Sequence, residues 1–412
     1  MRHLVYIIVF AIVPTGWCAA GERVTMSLQE CVRAAIANNL AMQSGRVAVR
    51  RAEEMQGSAF NIGRTTIALG QDPTSGGSPD NSFSLAQGFD FPTLYASRLA
   101  LLKAETGVER ENLEVTRNEV AREVTALYYR LLYERERVGI LRQQDTLYAR
   151  FLLLATAKFA AGETNSLERM SAERLRDENA LELRRAESDF RAAGLALQRV
   201  MNADEVVEPA DSVLPVAEVG ALAAFVAGEA PVARLLGERV KVGEKGLGVA
   251  RQGFLPDFSV TLRRQFLLPG YNPYDVPRER FAKGNFTGFE VGVSLPLFFG
   301  EQRAKTRAAK RDLEIARTRR EEAVVALDNN YRVAVDAHAT ARMALDYYRE
   351  RGSEQAREIA RVSRLAYEKG EIGYVEYVQN LESAAALRLR HAGAINEYNQ
   401  TVVILNYLQG NQ

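Results

Sequence analysis

The side chains best suited to chemistry are few in this 412-residue sequence. Its histidines are His3, His338 and His391, and its cysteines are Cys18 and Cys31. An enzyme needs a nucleophile, a base or metal ligands that converge on one place. The sequence has no spaced His/Cys cluster, no glycine-rich phosphate loop and no isolated carboxylate pair in an apolar setting. His338 and His391 fall in helical patterns typical of packing or surface residues, so we predict no enzyme activity, no metal site and no cofactor.

A short motif occurs twice, once in each half of the chain. Residues 159–168 read Phe-Ala-Ala-Gly-Glu-Thr-Asn-Ser-Leu-Glu, and residues 367–376 read Tyr-Glu-Lys-Gly-Glu-Ile-Gly-Tyr-Val-Glu. An aromatic residue, a Gly-Glu pair and a branched apolar residue followed by Glu recur in the same register. Glycine accepts the left-handed conformation that ends many helices, so Gly162 and Gly370 predict the tips of two helical hairpins. Such long-range self-similarity indicates a duplicated architecture.

Two long helical patterns lead into these tips. No proline occurs between Pro92 and Pro209, and apolar residues recur there at three- and four-residue spacing, as they do again after residue 300. We predict helices over about 93–161 and about 300–369, each roughly 100 Å long at 1.5 Å per residue. The near-heptad spacing, with mixed charges between the apolar positions, favours antiparallel coiled-coil packing.

Four short segments alternate instead with a period of two. They are residues 64–70, 82–91, 258–268 and 286–295. Each is about as long as a tilted strand that crosses a bilayer. Gln87 interrupts the apolar face of the second segment, and Arg264 in the third must lie near a membrane rim or mark a bulge. Polar, turn-rich loops join each pair of strands.

Four strands cannot close a barrel, and open strand edges are not tolerated in lipid. Two chains would give eight strands around a filled interior, whereas three would give twelve strands around a water-filled bore. Small residues on the inner face fill little space; they are Ser84, Gly88, Gly288, Gly292 and Ser294. We therefore predict a homotrimer.

The first twenty residues differ from the rest of the chain. Met1-Arg2-His3 is a basic start, an uncharged apolar run follows, and Cys18-Ala19-Ala20 offers a small-residue cleavage site. We predict a signal peptide over 1–20, a first structural repeat over 21–210 and a second over 211–412. Lipidation of Cys18 is an alternative at the cleavage site, although the preceding Trp17 is bulkier than lipoprotein signals prefer. The 53 basic and 52 acidic residues nearly balance, so nothing indicates a nucleic-acid partner.

Taken together, these features resemble the outer membrane factors of Gram-negative bacteria, the TolC-like outer membrane efflux proteins. The resemblance runs from the helical opening at 27–39 to Leu408. It depends on the duplicated layout, the Phe91-Pro92 and Leu295-Pro296 strand ends, the Phe299-Gly300 helix start and the Gly-Glu tips. It implies a mainly α-helical protein with a membrane β-barrel, in which a trimeric twelve-stranded barrel in the outer membrane continues into an α-helical tunnel through the periplasm.

The resemblance also implies a function and partners. Such a channel passively conducts what an inner-membrane pump, here of the RND type, and a periplasmic adaptor deliver to it. The compact tail and the Leu-Pro-Leu-Phe-Phe-Gly segment resemble the branch that serves heavy-metal or cation pumps. The alternative from the residues is an exported coiled-coil scaffold or adaptor, but such a protein has no use for bilayer-length strands.

In the family, acidic residues just after the second tip line the closed periplasmic mouth. Matching from Gly370 places the first of them at Glu376, whereas the second position holds Gln379. Glu376 and its counterpart Glu168 could instead solvate the helix or stabilise its first turn. The resemblance assigns adaptor contacts to both tips, at Gly162, Glu163, Leu167, Gly370, Glu371 and Tyr374. We expect Leu167 and Tyr374 to be exposed for the adaptor, or to pack within the trimer.

Overall fold

A computed structural model describes residues 23–71, 81–219, 225–266 and 286–410. The predicted signal peptide, Cys18 and much of both outer loops lie outside the described residues. The first half contains β1 (Arg23–Met26), α1 (Leu28–Asn38), α2 (Leu40–Met55), β2 (Thr66–Gln71), β3 (Asn81–Phe89), α3 (Pro92–Ala160), α4 (Ser166–Met201) and β4 (Val206–Pro209). The second half contains α5 (Pro231–Gln252), β5 (Asp257–Phe266), β6 (Phe286–Ser294), α6 (Gly300–Tyr347), α7 (Ser353–Glu368) and α8 (Tyr374–Gln409).

The first predicted long helix is confirmed almost to the residue. α3 has 69 residues, begins at Pro92 and ends at Ala160. Proline suits this first position because its fixed φ matches the helix and its missing N–H would have no partner there. Most of the predicted apolar positions are buried along it, namely Val120, Val124, Leu131, Val138 and Leu141.

The second long helix is interrupted, so the prediction of one helix over 300–369 is wrong in this detail. A π-helical turn from Tyr348 to Gly352 separates α6 from α7. Ser353 Oγ donates a hydrogen bond to the Tyr348 carbonyl across the widened turn (2.9 Å). A side chain on Gly352 would meet the Tyr348 ring, since an added Cβ would lie 2.8 Å from its Cδ1 atom.

The helices form two rows that share α3. Near the strands, α2 packs on α3, α3 on α5, and α5 on α6. Towards the tips, α4 packs on α3, α3 on α8, and α8 on α7. α4 and α7 are therefore the outermost helices of the row towards the tips. Each packs on a neighbouring helix of this row on one side only. Among the described residues, no helix has both the length and the apolar character needed to cross a membrane.

The strands form one antiparallel sheet in the order β2-β3-β5-β6. Its register places apolar residues in cross-strand rows on one face, for example Ile67, Leu85, Leu262 and Phe289. The opposite face carries small and polar residues, for example Ala68, Ser84, Arg263 and Gly288. The apolar face is open to the surroundings: Leu69 is 80% exposed and Phe289 is 79% exposed.

Gln87 and Arg264, the two polar residues that the sequence placed on the apolar face, have separate explanations. Gln87 Oε1 accepts a hydrogen bond from Thr65 Oγ1 (2.6 Å), and its Nε2 donates to the carbonyl of Gly63 (2.7 Å). These bonds satisfy the amide where the chain enters β2. Arg264 pairs with Phe83 and Thr287 in a continuous register, so it marks no bulge in these described strands. It lies two residues from the outer end of β5, which agrees with the rim alternative.

Candidate functional site

The first helical tip is a short turn closed by backbone hydrogen bonds. Gly162 has a φ of 74°, and the Glu163 N–H donates to the Lys158 carbonyl at 2.9 Å. Asn165 caps α4, because its side-chain oxygen accepts from the backbone N–H groups of Leu167 and Glu168 at 3.1 and 3.3 Å. The turn prediction at Gly162 is confirmed.

The second tip has the same backbone geometry but a different cap. Gly370 has a φ of 75°, and the Glu371 N–H donates to the Ala366 carbonyl at 2.8 Å. The turn prediction at Gly370 is therefore also confirmed. Gly373 occupies the capping position of α8, which has no side-chain cap hydrogen bond. The two tips thus share a fold but not their polar contacts.

Tyr374 is buried, so the prediction that it is exposed is wrong. Only 8% of it is accessible. Its ring packs on Phe151 of α3 (4.6 Å between centroids) and edge-on against Tyr367 of α7 (5.2 Å). Burial, and secondarily the neighbouring Tyr367 and Tyr377, raises its pKa to about 12. Leu167 is 67% exposed, as predicted.

An aromatic cluster next to the second tip was not foreseen from the sequence. Phe151, Tyr148 and Val378 are almost completely buried there together with Tyr374. Tyr377 stacks on Tyr367 at 4.8 Å. The aromatic spacing in Tyr367, Tyr374 and Tyr377 was visible, but the partner Phe151 lies in the other half of the chain. The cluster gives the second tip a rigid base.

The two carboxylates that follow the tips differ in their surroundings. Glu168 is half-buried and accepts a hydrogen bond from the Thr164 hydroxyl. Glu376 is exposed in the first turn of α8, and among the described residues its carboxylate has no ion-pair or hydrogen-bond partner. Gln379 is also exposed, one turn further along the same helix. Of these two carboxylates, only that of Glu376 lacks a hydrogen-bond partner within the described residues.

His338, His391 and Cys31 contact other side chains of the fold or are buried in it. His338 Nδ1 lies 3.0 Å from Thr401 Oγ1, and its ring packs on Tyr398. His391 Nδ1 lies 3.2 Å from Ser353 Oγ beside the π-helical turn. Cys31 is completely buried, and burial raises the pKa of its thiol to about 11. Over the described ranges, no group of His, Cys, Asp or Glu side chains is arranged to hold a metal ion.

This arrangement of sheet and hairpins has counterparts in known proteins. Residues 238–411 match the family described as outer membrane efflux protein. The chain superposes on the CmeC outer membrane channel of Campylobacter jejuni with a TM-score of 0.77 at 16% identity, covering 93% of this chain and 85% of that one. For CusC the values are 0.76 and 14%, with 98% and 96% covered.

A third structure gives the same result. The open state of the MtrE outer membrane channel of Neisseria gonorrhoeae superposes with a TM-score of 0.74 at 18% identity, covering 93% of this chain and 88% of that one. No curated protein matches the sequence. The fold is therefore that of the outer membrane efflux channels, and the predicted fold class is confirmed.

Proposed function

We propose that this protein is the outer membrane channel of a tripartite efflux system. It conducts substrates passively from an inner-membrane pump and a periplasmic adaptor to the outside of the cell. One observation carries the proposal: a four-stranded sheet with an open, apolar outer face is joined to the helix α3, which is about 100 Å long at 1.5 Å per residue and ends in a helical hairpin. A scaffold confined to the periplasm would have no partner for that face.

The open edges of the sheet support a trimer. β2 and β6 each pair on one side only within the described sheet. Each unsatisfied backbone group costs several kcal/mol in lipid, so the edges must pair with those of other copies. The helices also support a trimer. α4 and α7, the outermost helices of the row towards the tips, carry exposed apolar residues such as Met170, Leu181 and Val362, which other copies would cover. Three copies place twelve strands and twelve helical segments around one bore.

The tips supply the contact with the adaptor in this proposal. Gly162, Glu163, Gly370 and Glu371 are exposed, and Leu167 projects beside them. Tyr374 contributes indirectly, because it holds the second tip on α3 rather than touching the partner. Glu376 lines the periplasmic mouth, where three copies would form a ring of carboxylates, with Gln379 adding a second, uncharged ring.

The proposal also concerns the type of pump that delivers substrates to this channel. The segment with exposed Leu295, Leu297 and Phe298 resembles the branch that serves heavy-metal or cation pumps of the RND type. A ring of Glu376 carboxylates also suits a cationic substrate, since like charges in a narrow aqueous constriction raise the local cation concentration. Export assays with a metal salt and with a neutral drug, each in cells that express the cognate pump, would separate this branch from a drug-export branch.

Assembly and topology provide the direct test. Detergent-solubilised protein should be a trimer by light scattering and should open conducting pores in planar bilayers. A cysteine at Gly76 or Tyr271 should react with an impermeant label on intact cells, whereas one at Glu163 should react only after the outer membrane is breached. A monodisperse monomer that retains its strand signal, or the reverse labelling pattern, would contradict the proposal and favour the envelope scaffold.

A further inference from the structure

A basic groove lies between α5 and α6, just below the strands. It has a volume of about 540 Å³ and is lined by Arg251, Arg303, Arg307 and Lys310, with Leu247 and Phe254 among its apolar walls. All four cationic side chains are exposed. The groove therefore combines an apolar wall with a high density of positive charge, and no carboxylate lines it.

The four cationic side chains of the groove differ from other basic residues nearby, which form ion pairs. On the same stretch of α6, Lys305 pairs with Glu301, Arg311 with Glu314 and Arg317 with Glu244. Within the described residues, Arg251, Arg303, Arg307 and Lys310 have no ion-pair partner. Like charges this close repel one another, so the groove gains stability when an anion occupies it.

In the proposed orientation of the sheet, the groove lies at the level of the membrane headgroups. Between the end of β6 and the start of α6, Leu297 is 76% exposed and Phe298 is 92% exposed. These exposed apolar residues lie between the end of the sheet and Gly300. Arg303 and Arg307 lie about 4.5 and 10 Å further along α6 at 1.5 Å per residue. The headgroup layer is roughly 5–8 Å thick on each side of the hydrocarbon core, so the first two α6 cations fall in or beside it.

We propose that this groove binds the phosphate of an anionic phospholipid in the inner leaflet of the outer membrane. Arg303 and Arg307 donate to the phosphate oxygens, Arg251 and Lys310 add charge, and an acyl chain lies against Phe254, Leu297 and Phe298. Guanidinium groups suit this ligand because their planar donors match phosphate oxygens in pairs. Basic pockets beside membrane-spanning elements recognise phospholipid headgroups in the same way. The inference rests on the proposed membrane orientation of the sheet.

Native mass spectrometry of the detergent-solubilised protein tests the inference with two lipids. The probe is palmitoyl-oleoyl phosphatidylglycerol, and the zwitterionic control is palmitoyl-oleoyl phosphatidylcholine. Wild-type trimers should retain phosphatidylglycerol more strongly than phosphatidylcholine. Arg303→Gln with Arg307→Gln should weaken its retention on the order of tenfold or more. The matched double variant Lys305→Gln with Arg311→Gln removes the same charge from the same helix outside the groove, and should leave retention within about twofold.

Each other result overturns the inference. Equal retention of the two lipids by the wild type excludes headgroup recognition, whether or not the variants fold. Equal weakening by both double variants indicates general surface charge. Displacement of the lipid by inorganic phosphate or glycerol 3-phosphate at low millimolar concentration assigns the groove to soluble anions instead. A trimer that conducts but shows no lipid preference refutes this inference alone, whereas a protein that neither trimerises nor conducts refutes the proposed function with it.

Discussion

The ring of Tyr374 packs on the ring of Phe151, with 4.6 Å between their centroids. The contact joins the first residue of α8 to α3, two elements from different halves of the chain. It fixes the start of the helix that carries Glu376 and Gln379. The position of the proposed mouth therefore depends on aromatic packing above it as well as on the turn at Gly370.

Removing the Tyr374 ring should loosen the second tip. Tyr374→Ala deletes a nearly buried aromatic side chain and should cost about 3 kcal/mol of local stability. Tyr374→Phe keeps the ring and should cost much less. Hydrogen exchange of amides in residues 365–380 measures the effect, with residues 157–170 of the first tip as the internal reference. Unchanged exchange in Tyr374→Ala would show that the cluster does not hold the tip.

The turn at Gly370 should be sensitive to any side chain. Its φ of 75° is unfavourable for other residues, whereas an added Cβ would meet no atom within 4 Å. Gly370→Ala should therefore lower the free energy of unfolding by about 1–2 kcal/mol through backbone strain alone. Gly393→Ala is the control, because Gly393 lies inside α8 with equal space around it. That change should stabilise the helix by up to about 1 kcal/mol, and equal signs for both variants would contradict the argument.

His338 should make stability depend on pH. Burial, and then the nearby Arg342, lowers the pKa of His338. Thr401 Oγ1 donates to the Tyr398 carbonyl (2.7 Å), so it is left to accept from Nδ1 of the neutral ring. In the unfolded chain His338 binds a proton more readily than in the folded protein. Its contribution to the free energy of unfolding is therefore fully present above about pH 6.5 and is lost as the pH drops towards the lowered pKa.

The measurement is the free energy of unfolding at pH 7.5 and 5.5. His338→Gln removes the titrating ring and keeps a hydrogen-bond donor for Thr401, so its loss between the two pH values should be smaller than that of the wild type. His391, whose pKa burial also lowers, keeps its own contribution in both proteins. An identical pH dependence in the two proteins would show that His338 does not titrate on unfolding.

The sequence predicted what depends on local pattern and missed what depends on distant partners. Periodicity placed α3 within one residue at each end, because long amphipathic spacing with a proline start leaves few alternatives. The π-helical turn at Tyr348–Gly352 includes a hydrogen bond from Ser353 Oγ to the Tyr348 carbonyl, which the spacing of apolar residues did not reveal. Tyr374 was predicted to be exposed because the resemblance assigns an adaptor contact to the tip, and only the fold brings Phe151 to it. Gln87 was read correctly as an interruption, but its partners Gly63 and Thr65 lie in the segment that leads into the neighbouring strand β2.

Glu376 provides the sharpest test of the mouth. In a trimer, Glu376→Gln removes three carboxylates from one narrow aqueous constriction, so planar-bilayer conductance should lose cation selectivity. Block by multivalent cations added from the periplasmic side should weaken for the same reason. The effect should be smaller in high salt, where the Debye length falls to about 3 Å at 1 M.

Glu168→Gln is the matched control for Glu376→Gln, because Glu168 holds the equivalent place in the first repeat and its carboxylate is already bonded to Thr164. We expect it to leave selectivity and block unchanged. If Glu168→Gln alters them and Glu376→Gln does not, the two repeats have exchanged roles. If neither variant matters, packing or other side chains close the mouth, and the exposed Glu376 serves only to stabilise the first turn of α8.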